Sequence, residues 1–331
     1  MQLNISNTSI AGNLVVYSQF ATVNGTAVSN TITVGAVTVN SSQVKVGNSV
    51  VNATTIYTDK LIVGGTTMPA SPTYRAVIDY QEFTANGTWT NPSSNATLGL
   101  SGNEQVLLMM WGGGGGGQTN GSFVGGGGGG ACFIGTLPLS QCNTVCNVVV
   151  GTGGTKSQNS AAGQAAVAAG TGGSSIFYPN TTVSIIVYGG GGGLAHGGAG
   201  GGALGAGATG DNNNAAAVGG APLGGSAGVN ATYGGGGGVN TAATPYIAGS
   251  SVFGGGGAGG HFTYANVGGN SIYGGGGAGS PGGTSVFAGN GGGSGVSNVA
   301  STGSIPAGGG GANTLIAFAG SRGEVRIWVL K

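Results

Sequence analysis

The sequence predicts a mostly β and irregular fold: a β-rich N-terminal stalk or docking region, then a glycine-rich domain of packed polyglycine II helices framed by short β-strands. Three observations carry this expectation. Of 331 residues, 81 are glycine, many in uninterrupted runs. Short pieces rich in β-branched residues precede the runs, as Thr182-Val183-Ser184-Ile185-Ile186-Val187-Tyr188 precedes Gly189 to Gly193. A unit of β-former, aromatic residue and four or five glycines recurs, with Tyr233, Phe253 and Tyr273 at an interval of twenty.

Composition excludes several classes. Charged residues are 4% of the chain and the net charge is +1. Between Ser157 and Ser321 the only charged residue is Asp211. Nucleic acid as a partner is excluded, because it requires clustered Lys and Arg to displace counterions. No run of about 20 apolar residues is present, so no membrane insertion is expected. Collagen is excluded because glycine does not occupy every third position and prolines number nine. A disordered glycine linker fits poorly with the regular strand-like punctuation. Met1-Gln2-Leu3-Asn4-Ile5 lacks the basic start of a secretory signal, so synthesis and assembly in the cytoplasm are expected. Three cysteines, Cys132, Cys142 and Cys146, do not suggest a disulfide framework.

Residues 1–72 read as an attachment and oligomerisation region. Leu14-Val15-Val16-Tyr17, Thr31-Ile32-Thr33-Val34, Ala36-Val37-Thr38-Val39, Val44-Lys45-Val46, Val50-Val51, Thr55-Ile56-Tyr57 and Lys60-Leu61-Ile62-Val63 are short strands punctuated by Asn, Ser and Gly. Each is too short to bury a face alone, so a neighbour is expected, either the next rung or another copy of the chain. A homo-oligomer follows, with a homotrimer as the candidate stoichiometry. Met68-Pro69-Ala70-Ser71-Pro72 reads as a semi-rigid linker.

Residues 73–111 read as the β-structured entry to the glycine-rich domain. Asn86-Gly87 is a turn signal, and Val106-Leu107-Leu108-Met109-Met110-Trp111 is a compact apolar strand. Arg75, Asp79, Glu82 and Glu104 suggest a face in water. Residues 112–331 form the expected bundle with its loops and closing strand. Gln164 to Gly170 is alanine-rich and reads equally as helix or extended chain. In the closing segment Val325, Ile327 and Val329 alternate with Glu324, Arg326 and Trp328, the pattern of a half-buried strand. It is expected to lie near Val106 to Trp111 and so to fasten the two ends of the glycine field.

Polyglycine can form a left-handed helix of three residues per turn with no internal hydrogen bonds. Its amides and carbonyls point outward and must be satisfied by neighbours. Ordering a residue costs about 1–2 kcal/mol, whereas a net hydrogen bond returns about 0.5–1.5 kcal/mol. A lone run therefore cannot stay ordered, and the runs must form one cooperative bundle. Tyr188, Tyr233, Phe253 and Tyr273 are expected at a common level, each starting a strut.

Phe83-Thr84-Ala85-Asn86-Gly87-Thr88-Trp89-Thr90-Asn91-Pro92, then Val106 to Gly115, Val148-Val149-Val150-Gly151-Thr152-Gly153-Gly154 and the closing Gly323-Glu324-Val325-Arg326-Ile327 resemble the glycine-rich domain of bacteriophage tail proteins. The resemblance covers about residues 80 to 331, and the repeated runs are similar to adhesins at the tips of T-even-type long tail fibres. It implies a polyglycine-helix bundle whose variable end loops bind a receptor on the host surface, a glycan or an outer-membrane protein. It also implies a place in the virion beside other tail proteins. The N-terminal β region departs from those adhesins, which carry a different attachment domain.

The chemistry-bearing residues are sparse. Gly151-Thr152-Gly153-Gly154-Thr155-Lys156-Ser157 misses the phosphate-loop motif because Thr155 stands where glycine must precede the lysine. The spacing of Cys132, Cys142 and Cys146 with His196 or His261 fits no zinc motif. Asp211-Asn212-Asn213-Asn214 reads as a polar turn. No catalytic constellation converges, so no enzyme, cofactor or metal is expected. Receptor contacts are expected instead among Phe177, Tyr178, His196, Asn212, Asn213, Tyr246, His261, Phe262, Tyr264 and Asn266, because aromatic and Asn side chains on loops make adaptable recognition surfaces. The competing expectation is a purely structural virion fibre or decoration protein, in which those aromatics only seal the bundle.

Overall fold

The computed structural model describes residues 32–34, 37–39, 61–63, 66–68, 77–94, 98, 100, 103–120, 124–158, 167–211, 217–226, 228–239, 247–259, 266–294 and 300–331. The chain divides into two units, Met1–Tyr74 and Arg75–Lys331. In the first, β1 (Ile32–Val34) pairs antiparallel with β2 (Val37–Val39), and β3 (Leu61–Val63) with β4 (Thr66–Met68). Two residues separate the strands of each pair in the sequence, Gly35-Ala36 and Gly64-Gly65. The strands expected at 14–17, 44–46, 50–51 and 55–57, and most of the proline linker, lie outside the described residues.

The second unit begins with β5 (Val77–Phe83), β6 (Gly87–Thr90) and β7 (Gln105–Trp111). After the first glycine run come the short β8 (Gln118–Thr119) and β9 (Val124–Gly125), then β10 (Cys132–Pro138) and β11 (Val145–Val149). The short β12 (Ser157–Gln158) follows, then β13 (Ser175–Tyr178), β14 (Ile185–Val187) and the closing β15 (Glu324–Leu330). Two four-stranded antiparallel sheets result, ordered β10-β7-β15-β5 and β14-β13-β11-β6. No α-helix occurs among the described residues, and Val167 to Gly170 of the alanine-rich segment is neither helix nor strand.

One hydrophobic core joins the two sheets. Val106, Leu108 and Met110 of β7 and Val325, Ile327 and Val329 of β15 meet Trp89, Cys146, Val148, Phe177 and Val187 from the other sheet. The alternation read in β15 is what faces these residues inward. Trp89 and Phe177 are fully buried, ring centroids 6.1 Å apart in an edge-on pair. Full burial of such side chains contributes about 1.5–3 kcal/mol each. The closing strand lies directly against β7, from Glu324 opposite Trp111 to Leu330 opposite Gln105. Asn86-Gly87 does not turn a hairpin within one sheet. It passes the chain from β5 in one sheet to β6 in the other, and the Asn86 side chain accepts the Val150 N–H at 2.9 Å. Glu104, expected on a wet face, is buried at the mouth of β7.

From Trp111 onward the fold is made of backbone. Gly112 and Gly115 donate to Ala131 and Gly128, Gly113 and Gly116 to Gly173 and Gly170, and Gly114 and Gly117 to Ser321 and Phe318. Three neighbours are thus addressed in rotation, each by every third residue. The return run obeys the same rule: Gly127 and Gly130 donate to Gly310 and Ala307, Gly128 and Ala131 to Gly191 and Tyr188, and Gly129 and Cys132 to Gly256 and Phe253. The register of these bonds makes 125–131 antiparallel to 112–117. The later outward runs are mutually parallel: Gly236 donates to Gly255 and Val239 to Ala258, while Gly256 donates to Gly275 and Gly259 to Ala278.

Glycine is required here by close approach. A Cβ placed on Gly128 would lie 2.1 Å from the Ala199 carbonyl oxygen, and one on Gly275 2.1 Å from that of Ala307. Neither neighbour is the end of a flexible side chain, so neither can yield without moving a strut. Gly205, at a turn, meets nothing nearer than 3.3 Å. We therefore expect Gly128→Ala and Gly275→Ala to destabilise the domain by about 1–3 kcal/mol or more. Gly205→Ala should be neutral within about 0.5 kcal/mol. Urea unfolding followed by tryptophan fluorescence checks this, and equal midpoints for all three variants would contradict a close-packed backbone core.

Candidate functional site: the two ends of the glycine bundle

The hydrogen-bond register sorts the bundle into two ends. At the near end lie Trp111, Cys132 and Tyr188, where the two sheets hand the chain to the runs. Ala131 donates to the Tyr188 carbonyl and Cys132 to that of Phe253, and the Trp111 indole N–H donates to the Tyr273 carbonyl at 2.7 Å. At the far end the runs stop at Gly117, Gly193, Val239, Gly259, Gly279 and Ser294. Ser157 donates there to Gly117, Gly193 to Gly116, Val239 to Ala258, and Ser294 to Gly279. The small sheet β12-β8-β9 also sits at this end.

The near end carries an aromatic ladder. Tyr233 stacks on Phe253 at 5.3 Å, Phe253 on Tyr273 at 4.9 Å, and Tyr273 on Phe287 at 5.0 Å, with interplanar angles of 5°, 9° and 8°. The interval of twenty thus puts three rings in register, and Phe287, fourteen residues on, adds a fourth that the repeat reading missed. The signal was present: Ser285-Val286-Phe287 repeats Ser271-Ile272-Tyr273, but Ala288 breaks the glycine run that marked the unit. Tyr188 shares the near level but belongs to a different part of the bundle and joins no stack among the described residues.

A serine ladder holds the rings at their spacing. Parallel bridges connect Ala231, Ser251, Ser271 and Ser285 in series. The Ser251 hydroxyl donates to the Gly234 carbonyl at 2.7 Å and accepts the Gly254 N–H at 2.9 Å. Ser271 repeats this with Gly254 and Gly274 at the same two distances, and Ser285 with Gly274 and Ala288 at 2.7 and 3.0 Å. Each hydroxyl both ties one aromatic turn to its predecessor and closes the turn it belongs to. The Asn230 and Asn270 side chains accept the Ser250 and Thr284 N–H groups, both at 2.8 Å.

At the near end, charge gathers at the junction with the sheets. Glu324 is buried and paired by Arg322 at 3.3 Å and by Arg326 at 2.6 Å, while the Arg326 guanidinium lies 5.2 Å from the centre of the Trp111 ring. A buried carboxylate is tolerable only with such partners. Cys132, Cys142 and Cys146 are buried and free, and burial pushes the Cys132 thiol up from its ordinary value. Among the described residues no group of His, Cys, Asp or Glu is arranged to hold a metal ion.

The candidate contact residues separate under this geometry. Phe177 is fully buried between the two sheets, because its position in β13 points it at Trp89, so it presents no surface. Tyr178, the next residue, faces outward and is 37% exposed, but it lies in the sheets. His196 and Asn266 do lie at the far end, and both are buried, at 5% and 2% exposure. His196 pairs through its backbone with Leu194, and the Asn266 carbonyl accepts the Ser280 N–H at 2.7 Å. Asn212, Asn213, Tyr246, His261, Phe262 and Tyr264 lie outside the described residues, but the chain enters and leaves their segments at far-end positions Asp211, Val239, Ile247, Gly259 and Asn266. Sequence composition alone could not tell a buried turn residue from an exposed one.

The serine ladder gives a sharp test. Ser271→Ala removes a buried donor and acceptor at once and leaves the Gly254 carbonyl and Gly274 N–H without their partner. A loss of about 1–3 kcal/mol is expected. Ile272→Ser, at the neighbouring exposed position, should change stability by less than about 0.5 kcal/mol. Thermal unfolding of both variants decides whether the hydroxyl ladder or the apolar surface stabilises this edge.

No curated protein matches this sequence. The family model described as a glycine-rich domain matches residues 84–328, from the turn after β5 into the closing strand, and so takes in the whole bundle and its framing strands other than β5. This chain therefore belongs to the glycine-rich domain family.

Proposed function

We propose that the protein is a bacteriophage tail-fibre or tail-tip adhesin, and that the loops at the far end of its glycine bundle bind a receptor on the host surface. The observation that carries this reading is the division of labour between the ends. The sheets, the buried ion pairs and the aromatic ladder all gather at the near end. The chain enters and leaves the segments that hold Asn212, Asn213, Tyr246, His261, Phe262 and Tyr264 at the far end. A rigid scaffold that presents variable loops at one tip is the usual architecture of recognition. The N-terminal β region mounts the domain on other virion tail proteins, as a homo-oligomer. The receptor is a glycan or an outer-membrane protein. No catalytic step is assigned.

The struts in this proposal are polyglycine II helices. The threefold rotation of bonding directions in 112–117 and 127–132 is the support, since a helix of three residues per turn sends successive amides to three sides. Backbone dihedrals from an experimental structure or from NMR chemical shifts test it: φ near about −75° and ψ near about +145° are expected through the runs. Sheet values there would overturn it.

The adhesin reading is tested by binding of the purified protein to host cells, followed by exchange of residues 240–268 for the corresponding segment of a relative with another host range. Binding to the original host is expected to weaken at least about tenfold, about 1.4 kcal/mol, with the melting transition retained. Binding that survives the exchange sinks the loop assignment. Absence of binding by the unaltered protein favours a structural fibre.

A further inference from the structure

Among the described residues the aromatic ladder ends in two exposed rings, Phe287 at 52% and Tyr233 at 58%. Tyr233 stacks on Phe253, and no further described ring stacks on it. Beside it opens a cavity of about 260 Å³ lined by Pro222, Leu223, Asn230, Ala231, Thr232 and Tyr233. Leu223, also in its lining, is 94% exposed. We propose that this cavity is a binding site for a neutral sugar, in which one pyranose ring takes the next rung of the ladder against Tyr233. The site is at the near end of the bundle, so it is independent of whether the far-end loops bind a receptor.

Three features select the ligand class. The spacing of the existing rungs is 5.3, 4.9 and 5.0 Å, so the free rung calls for a flat ring with an apolar face. A pyranose with equatorial hydroxyls has such a face, made of axial C–H groups. The rim of the cavity is polar. Asn230, Thr232 and Tyr233 line the cavity, and Asn230 uses its carbonyl oxygen to accept the Ser250 N–H at 2.8 Å, which leaves its amide nitrogen available to a ligand. A purely aromatic guest would strip water from these groups and return no hydrogen bonds, which costs free energy; a sugar's hydroxyl rim replaces them. Finally, the wall is uncharged, and from Ser157 to Ser321 the chain carries no charge but Asp211. A phosphate or an ammonium group would find no counter-charge. Pockets of this kind, largely apolar with a few placed polar groups, bind by orientation and not by area.

Saturation-transfer NMR with methyl β-D-glucopyranoside as the probe tests the assignment on the full chain. Transfer to the axial C–H protons of the sugar is expected with the unaltered protein. Tyr233→Leu should abolish it, and Tyr233→Phe should retain it. Phe287→Leu, which shortens the opposite end of the ladder, should leave it unchanged and so controls for general loosening of the edge. No transfer with the unaltered protein, or transfer that persists in Tyr233→Leu, overturns the proposal. Transfer to p-cresol and none to the glycoside also overturns it, in favour of an aromatic guest.

Discussion

The rest of this structure depends on one interaction: the hydrogen bond between the backbones of neighbouring glycine runs, made on three sides of each run. It acts where most domains use hydrocarbon. A buried amide and carbonyl must both be satisfied, and with three neighbours in rotation every successive residue finds a partner, as Gly112 to Gly117 show. The same geometry explains the composition. The interior of the bundle is spaced by carbonyl oxygens that would stand about 2 Å from a Cβ, as at Gly128 and Gly275. Glycine costs more backbone entropy than any other residue, and that cost is offset only when nearly every group is bonded. Cooperativity is thus built into the chemistry, because a run such as Gly112 to Gly117 donates to three neighbours and accepts from three others, and its removal leaves all six unsatisfied.

Such a bundle has no apolar face with which to find its register, so register must come from elsewhere. The two sheets supply it. β7 leads into the first run and β15 follows the last, and the two lie side by side from Glu324 opposite Trp111 onward. Entry and exit are fixed at one level by an ordinary hydrophobic core in which Met110, Val325 and Ile327 are buried. The Trp111 indole extends this alignment into the bundle through the Tyr273 carbonyl, and Arg326 rests over the same ring while neutralising Glu324. Farther from the sheets, the serine hydroxyls and stacked rings carry the alignment from turn to turn. Hydrophobic burial here sets the starting register, and backbone bonding propagates it.

What was legible follows from this split. The period of twenty in Tyr233, Phe253 and Tyr273 was visible because equal strut lengths demand equal spacing, and the rings do stack. The pairing of the closing strand with Val106 to Trp111 was visible in its alternation of apolar and polar residues. The interleaving of the two sheets was not, because pairings such as β11 with β6 join residues far apart in sequence and leave no local period. Phe177 and His196 were misjudged for a related reason. In a chain with few side chains every aromatic or imidazole ring stands out, yet its exposure is decided by which strand or turn lies opposite, as Trp89 lies opposite Phe177.

The two ends of the bundle differ in what they can tolerate. At the near end each aromatic turn is tied to the one before it by a serine hydroxyl with two bonds, so insertion of a residue between Ser271 and Gly274 would break both. At the far end the runs are held by bonds that lie below the turns, such as Gly259 to Ala278 between two outward runs and Gly249 to Gly237 between a return run and an outward one. Loop length costs little in closure entropy, about 0.6 kcal/mol for each doubling. The far end is therefore free to vary in length and composition while the struts stay in place. The near end can change only in the side chains that point away from the ladder. A surface that must diversify belongs at the first end and a surface built on fixed spacing at the second, which is how the loops and the aromatic ladder are distributed along this chain.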